Sequence, residues 1–101
     1  MDYRKFENQY VIRPDRGEEI AESLKFVAEK EKIKLAYLTG IGAAGKVTAG
    51  VFDTKEKVFK GHTWEGDLEM VSIGGNINTM NGESYAHFHI SAADDQGNVF
   101  G

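Results

Sequence analysis

Tyr85-Ala86-His87-Phe88-His89-Ile90-Ser91-Ala92-Ala93 alternates between apolar and polar residues along most of its length. In an extended backbone successive side chains leave opposite faces, so Ala86, Phe88, Ile90 and Ala92 form one stripe. Tyr85, His87, His89 and Ser91 form the other. The first stripe belongs to a core, and the segment is therefore a strand with one face buried. The second stripe holds two of the chain's three histidines, with their imidazoles roughly 6–7 Å apart along the strand at the usual rise per residue.

A strong turn follows at Asp94-Asp95-Gln96-Gly97-Asn98, and Val99-Phe100-Gly101 begins a further strand. Upstream, strands are expected at Leu35 to Thr39, Lys46 to Asp53, Lys57 to Trp64 and Leu68 to Ile77, the last interrupted by Gly74-Gly75. Tyr3 to Ile12 reads as a first strand, stopped by Arg13-Pro14-Asp15. Asp15 is the expected N-cap of one amphipathic helix, with Glu18 and Glu19 in its first turn and Ile20, Leu24, Val27 and Ala28 on its apolar face to about Lys32. Lys30 and Lys32 near its end suit the helix dipole. The expected fold class is α+β, a mainly antiparallel sheet covered by one amphipathic helix.

The chain has 101 residues, 41% of them hydrophobic and 11% aromatic, which fits one folded domain with a single modest core. A single domain over residues 1–101 is the expectation, with its C-terminal strands missing, because a hairpin arm that stops at Gly101 leaves an unpaired edge. No apolar run reaches the roughly 20 residues of a membrane span. Met1-Asp2-Tyr3-Arg4-Lys5 has no apolar signal core behind it, so a cytoplasmic location is expected. With no cysteine, any metal must be held by histidine, carboxylate or water. The net charge of −4 argues against a surface built to grip DNA phosphates. Arg4, Lys5, Arg13 and Arg16 form only a loose basic group.

Gly40-Ile41-Gly42-Ala43-Ala44-Gly45 matches the dinucleotide-binding pattern G-x-G-x-x-G. That motif needs a helix directly after it to receive the pyrophosphate. Here Lys46-Val47-Thr48-Ala49-Gly50-Val51-Phe52 follows and reads as strand, so the glycines are expected to serve a bend or bulge.

Three stretches together resemble the plants-and-prokaryotes conserved (PPC) domain: Leu38-Thr39-Gly40-Ile41-Gly42-Ala43, Gly66-Asp67-Leu68-Glu69-Met70-Val71-Ser72-Ile73-Gly74-Gly75-Asn76-Ile77, and Gly82 through Gly101. The resemblance implies an α+β domain that forms homotrimers with strands shared between subunits. In the family the last stretch continues with a glycine pair, a histidine and a leucine; this sequence stops at the first glycine. In plants such domains accompany an AT-hook, an Arg-Gly-Arg-Pro element that enters the minor groove. No such element occurs here, so the family's association with DNA is carried over only as a regulatory or indirect role.

His87 and His89 are the candidate metal ligands, with zinc favoured by imidazole donors. The plainer reading makes them ordinary half-exposed strand residues, and His62 beside Thr63 and Trp64 is read that way. Glu83 and Tyr85 lie on the histidine face and could orient an imidazole. Glu69 is expected to share a face with Val71 and Ile73, neutralising a buried partner, approaching the metal, or reaching solvent from an edge. The function expected is a self-associating module with a histidine metal site. The alternative is a small metal-dependent enzyme acting on an unknown metabolite, for which an open zinc position would activate water. His-x-His followed by a carboxylate also resembles the first cupin motif, but Gly82 to His87 is one residue short and Asp94 stands where glutamate is expected.

Overall fold

The computed structural model describes residues 1–101, 63% of them in mainly antiparallel strands, with a single short helix packing on the sheet. The elements are β1 (Asp2–Phe6), β2 (Gln9–Arg13), α1 (Ile20–Lys30), β3 (Ala36–Asp53), β4 (Val58–Met80), β5 (Glu83–Ala93) and β6 (Val99–Phe100). β1 and β2 form a two-stranded sheet, and the remaining strands run in the order β3-β4-β5-β6. The fold is α+β, as the alternation of strand and helix patterns implied.

Several boundaries differ from the sequence reading for identifiable reasons. Tyr3 to Ile12 is two strands, because Glu7 adopts φ 58° and turns the chain between Phe6 and Gln9, which pair directly. The helix N-cap is Glu19, not Asp15: the Glu19 carboxylate accepts from the Glu22 backbone N–H at 2.6 Å. Asp15 instead sits in a turn, its carbonyl accepting from the Glu18 N–H at 3.0 Å. The helix ends at Lys30, and Lys32 lies beyond it with φ 57°. The four short strands expected between residues 35 and 77 are two long ones. Gly45 and Gly74-Gly75 do not interrupt them, since ladder hydrogen bonds need only backbone.

The chain divides into two compact units. One comprises Met1–Ala36 with Asn76–His87. Here α1 buries Ser23, Val27 and Ala28, and at 11 residues it depends on that packing. The hydroxyls of Tyr3 and Tyr10 each donate to one oxygen of Glu31, both at 3.2 Å, which ties the N-terminal hairpin to the residue ending the helix. The Met1 ammonium is paired with Asp15 at 2.7 Å and with Glu18, and these contacts raise its pKa. The Thr79 hydroxyl donates to the Lys34 carbonyl at 3.3 Å.

The other unit comprises Tyr37–Gly75 with Phe88–Gly101. Its core is Val47, Leu68 and Ala92, with Ala44, Ala49, Trp64, Ile90 and Phe100 packed against it. The Trp64 and Phe100 rings stack at 4.3 Å. Burial alternates along β3 until Gly45–Lys46 and, within β4, over Asp67–Val71 until Val71–Ser72, where two successive residues are exposed and the inward parity changes. Such a slip re-aims side chains as a bulge does. β3 and β4 then extend as a two-stranded arm closed by a turn at residues 54–57. In the arm a Cβ at Gly50 would stand 2.0 Å from the Lys60 carbonyl oxygen, so the close approach admits only glycine. Asp53 closes the tip, accepting from the N–H groups of Lys55 and Glu56 at 2.9 and 3.0 Å and pairing with Lys60 at 3.1 Å.

Two outcomes are expected. Leu68→Ala, at a site only 5% exposed, should cost about 2–5 kcal/mol in urea unfolding, the range for truncating a buried leucine. The β5–β6 turn should carry an acid dependence. Asp94 accepts from the side chain and backbone N–H of Asn98 and from the Gln96 N–H, which holds its carboxyl below the ordinary aspartate value. A depressed carboxylate stabilises the fold fully above its unfolded value and loses that contribution as pH falls through the folded one. Unfolding midpoints of wild type and Asp94→Ala should therefore converge as the solution is acidified below the ordinary aspartate range.

Candidate functional site

β5 carries the candidate site, and its burial follows the alternation read from the sequence. Glu83, Tyr85, His87 and His89 are exposed, whereas Ser84, Ala86, Phe88 and Ile90 are partly buried and Ala92 is fully buried. The strand's position inside the sheet, between β4 and β6, fixes this register, since the Phe88–Ala92 stripe has one core to enter. His87 and His89 thus stand on the same exposed strand face, with Tyr85 and Glu83 preceding them.

Glu69 does not share a face with both Val71 and Ile73. Leu68, Met70 and Ile73 are buried, while Glu69 and Val71 are exposed. The slip at Val71–Ser72 puts Ile73 on the opposite parity from its expected companion, and the carboxylate reaches water. Glu69 lies with Asp67, Asp94 and Asp95 around a shallow concavity of about 300 Å³. A smaller concavity of about 130 Å³ is lined by Ala21, Glu22 and Lys25 of α1 with Ile77, Ser84 and Ala86. Neither is lined by His87 or His89.

No three or more histidine, cysteine, aspartate or glutamate side chains of the chain come within range of a common metal ion. The two β5 imidazoles have the right donor chemistry for zinc, but a four-coordinate ion would need its other ligands from outside this cluster. His62 is exposed and its ring lies 5.9 Å from that of Trp64, tilted by 44°. It belongs to the aromatic row that continues into Phe100.

One surface was missed by the sequence reading. Tyr37 and Ile41 on β3 are 82% and 81% exposed, and the β3–β4 arm exposes Val51, Phe52, Val58 and Phe59. The signal was present in the adjacent pairs Val51-Phe52 and Val58-Phe59. Two apolar neighbours on a strand must point to opposite faces, so both faces of the arm are apolar.

Comparison with known proteins places this geometry in a family. The family model described as the Plants and Prokaryotes Conserved (PCC) domain matches residues 1–101. The chain belongs to that family. Among solved structures it is similar to a "putative dna binding protein" from Bacteroides thetaiotaomicron, with a TM-score of 0.92, 28% identity, and coverage of 98% of this chain and 69% of that one. It is similar to a plant- and prokaryote-conserved protein from Pyrococcus horikoshii, with a TM-score of 0.82, 32% identity, and coverage of 88% and 62%. A metal-containing protein from Archaeoglobus fulgidus has a TM-score of 0.82, 25% identity, and coverage of 88% and 63%. The chain thus spans less than two thirds of the latter two. No curated protein matches it. No helix is long and apolar enough to cross a membrane.

The exposed position of Glu69 sets a clear expectation. Glu69→Ala should change the unfolding free energy by no more than about 0.5 kcal/mol, as for an ordinary surface substitution. A larger loss in chemical denaturation would mean that the carboxylate has a partner in the fold.

Proposed function

We propose that this chain is a self-associating regulatory module, assembled as a homotrimer, that carries a zinc ion on the His87/His89 face of β5 and meets DNA only as an assembly. The observation that carries the reading is the exposed apolar surface of the Tyr37–Gly75 unit. Tyr37, Ile41, Val51, Phe52, Val58, Phe59 and Val71 are each between 44% and 82% exposed, and large apolar side chains left in water in this number suit a protein contact. An arm apolar on both faces gains most by lying against another copy, because a two-stranded hairpin by itself is marginal in water.

Metal binding draws support from the imidazole pair and from the metal-containing Archaeoglobus relative. Zinc would tie an assembled protein together as a structural ion, with a second copy or water completing its shell. Glu83 and Tyr85 would orient the imidazoles by hydrogen bonding to them. The DNA role draws support from the Bacteroides relative. An acidic chain of net charge −4 needs local basic surface from assembly to hold phosphates.

Light scattering combined with elemental mass spectrometry of untagged protein tests this directly. The expected result is a trimer with near-stoichiometric zinc, and loss of the metal in His87→Ala/His89→Ala. A monomer at micromolar concentration would remove the assembly. Metal-free wild-type protein, unchanged by added zinc, would remove the ion. Duplex binding that does not weaken with salt would remove the phosphate contact.

A further inference from the structure

The β4–β5 connection is Asn81-Gly82, exposed in a two-residue turn. Asn81 has φ 54° and Gly82 φ 80°, the positive pair that a type I′ hairpin turn requires and that Asn-Gly supplies most readily. The same dipeptide carries a reactivity of its own. Glycine has no side chain to shield its backbone nitrogen from the carboxamide carbon before it. We propose that Asn81 is a site of spontaneous deamidation, a built-in modification point at the closing turn of the β4–β5 hairpin.

The chemistry needs only water and a base. The Gly82 backbone N–H gives its proton to hydroxide or water, and the nitrogen attacks Cγ of Asn81. A C–N bond forms, closing a five-membered succinimide. The bond from Cγ to Nδ2 breaks, and that nitrogen takes up a proton and leaves as ammonia. Water then adds to either imide carbonyl and opens the ring. The products are aspartate at position 81 or isoaspartate, in which the main chain runs through the side-chain carbon.

The structure distinguishes Asn81 from the other asparagines. The Asn98 carboxamide donates to Asp94 at 3.0 Å and precedes β-branched Val99. Asn76 and Asn78 lie inside β4 and precede Ile77 and Thr79. Asn8 is in the β1–β2 turn but precedes Gln9. Only Asn81 joins an exposed turn to a following glycine. The turn also gates the reaction. Attack requires rotation about the Cα–C and Cα–Cβ bonds of Asn81 to bring the Gly82 nitrogen onto Cγ, and a closed hairpin turn restrains that rotation, so the rate follows the fraying of the hairpin end.

Modification would act on β5. A carboxylate at position 81 lies two residues from Glu83. Isoaspartate adds a backbone atom where turn length sets strand register, just before Tyr85 and His87. The proposal is independent of the metal and assembly readings.

The test is ageing of the intact protein at mildly alkaline pH and physiological temperature, followed by peptide mass spectrometry with fragmentation. The expected result is conversion of most chains at position 81, seen as exchange of NH2 for OH, with the other asparagines intact. The rate should rise with hydroxide concentration. Asn81→Gly keeps a Gly-Gly turn suited to the same geometry and should show no gain. A synthetic peptide spanning residues 76–86 sets the ungated rate. Intact Asn81 in the protein while that peptide deamidates would overturn the proposal, as would conversion falling instead on Asn8, Asn76, Asn78 or Asn98.

Discussion

The packing of Val47, Leu68 and Ala92 against one another is the contact on which the rest of this structure depends. These residues come from β3, β4 and β5, and burying them fixes the register of three strands at once. Ala92 has no exposed surface, which leaves no room for a larger side chain and none for a shifted strand. Once that layer is set, Phe88 and Ile90 must face inward and His87 and His89 outward. The stacked rings of Trp64 and Phe100 cover the layer and hold the short β6 in place. The placement of the histidines is thus a by-product of core packing on the other side of the same strand.

That dependence explains what the sequence made legible. Residues 85–92 alternate without a break, and every inward position is apolar, so the strand and its two faces could be read directly. The helix was legible through Ile20, Leu24, Val27 and Ala28. Its start was not, because Asp15, Glu18 and Glu19 are all competent acceptors and only the backbone path shows that Glu19 meets the Glu22 N–H. The turn at Glu7 was hidden because glutamate gives no signal for positive φ.

The strands β3 and β4 were under-read for a different reason. Glycines and polar residues at 45–46 and 65–67 resemble breaks, yet ladder bonding passes through them. The parity slips follow no residue type, and the one at Val71–Ser72 overturned the expectation that Glu69 shares a face with Ile73, while its exposure matches the solvent-reaching alternative. The candidate site was half legible. Two imidazoles on one face could be inferred, and the structure brings no further metal-ligating side chain into a common cluster with them. The apolar arm lay in plain view as Val51-Phe52 and Val58-Phe59, but its exposure follows from both strands leaving the core together.

The parity slips have an evolutionary consequence. Along a strand, adding or removing one residue sends every later side chain to the opposite face. β3 and β4 each already contain one change of parity, and the core layer is satisfied only with both in their present places. A further single-residue insertion between Ala36 and Gly45, or between Ser72 and Met80, would exchange buried Ile73 or Ile77 for a polar neighbour, or turn the Ala36–Ala44 stripe toward water. Length variation in descendants of this chain is therefore confined to the connections between its elements, at residues 7–8, 14–19, 31–35, 54–57, 81–82 and 94–98. Its long strands can change by substitution only.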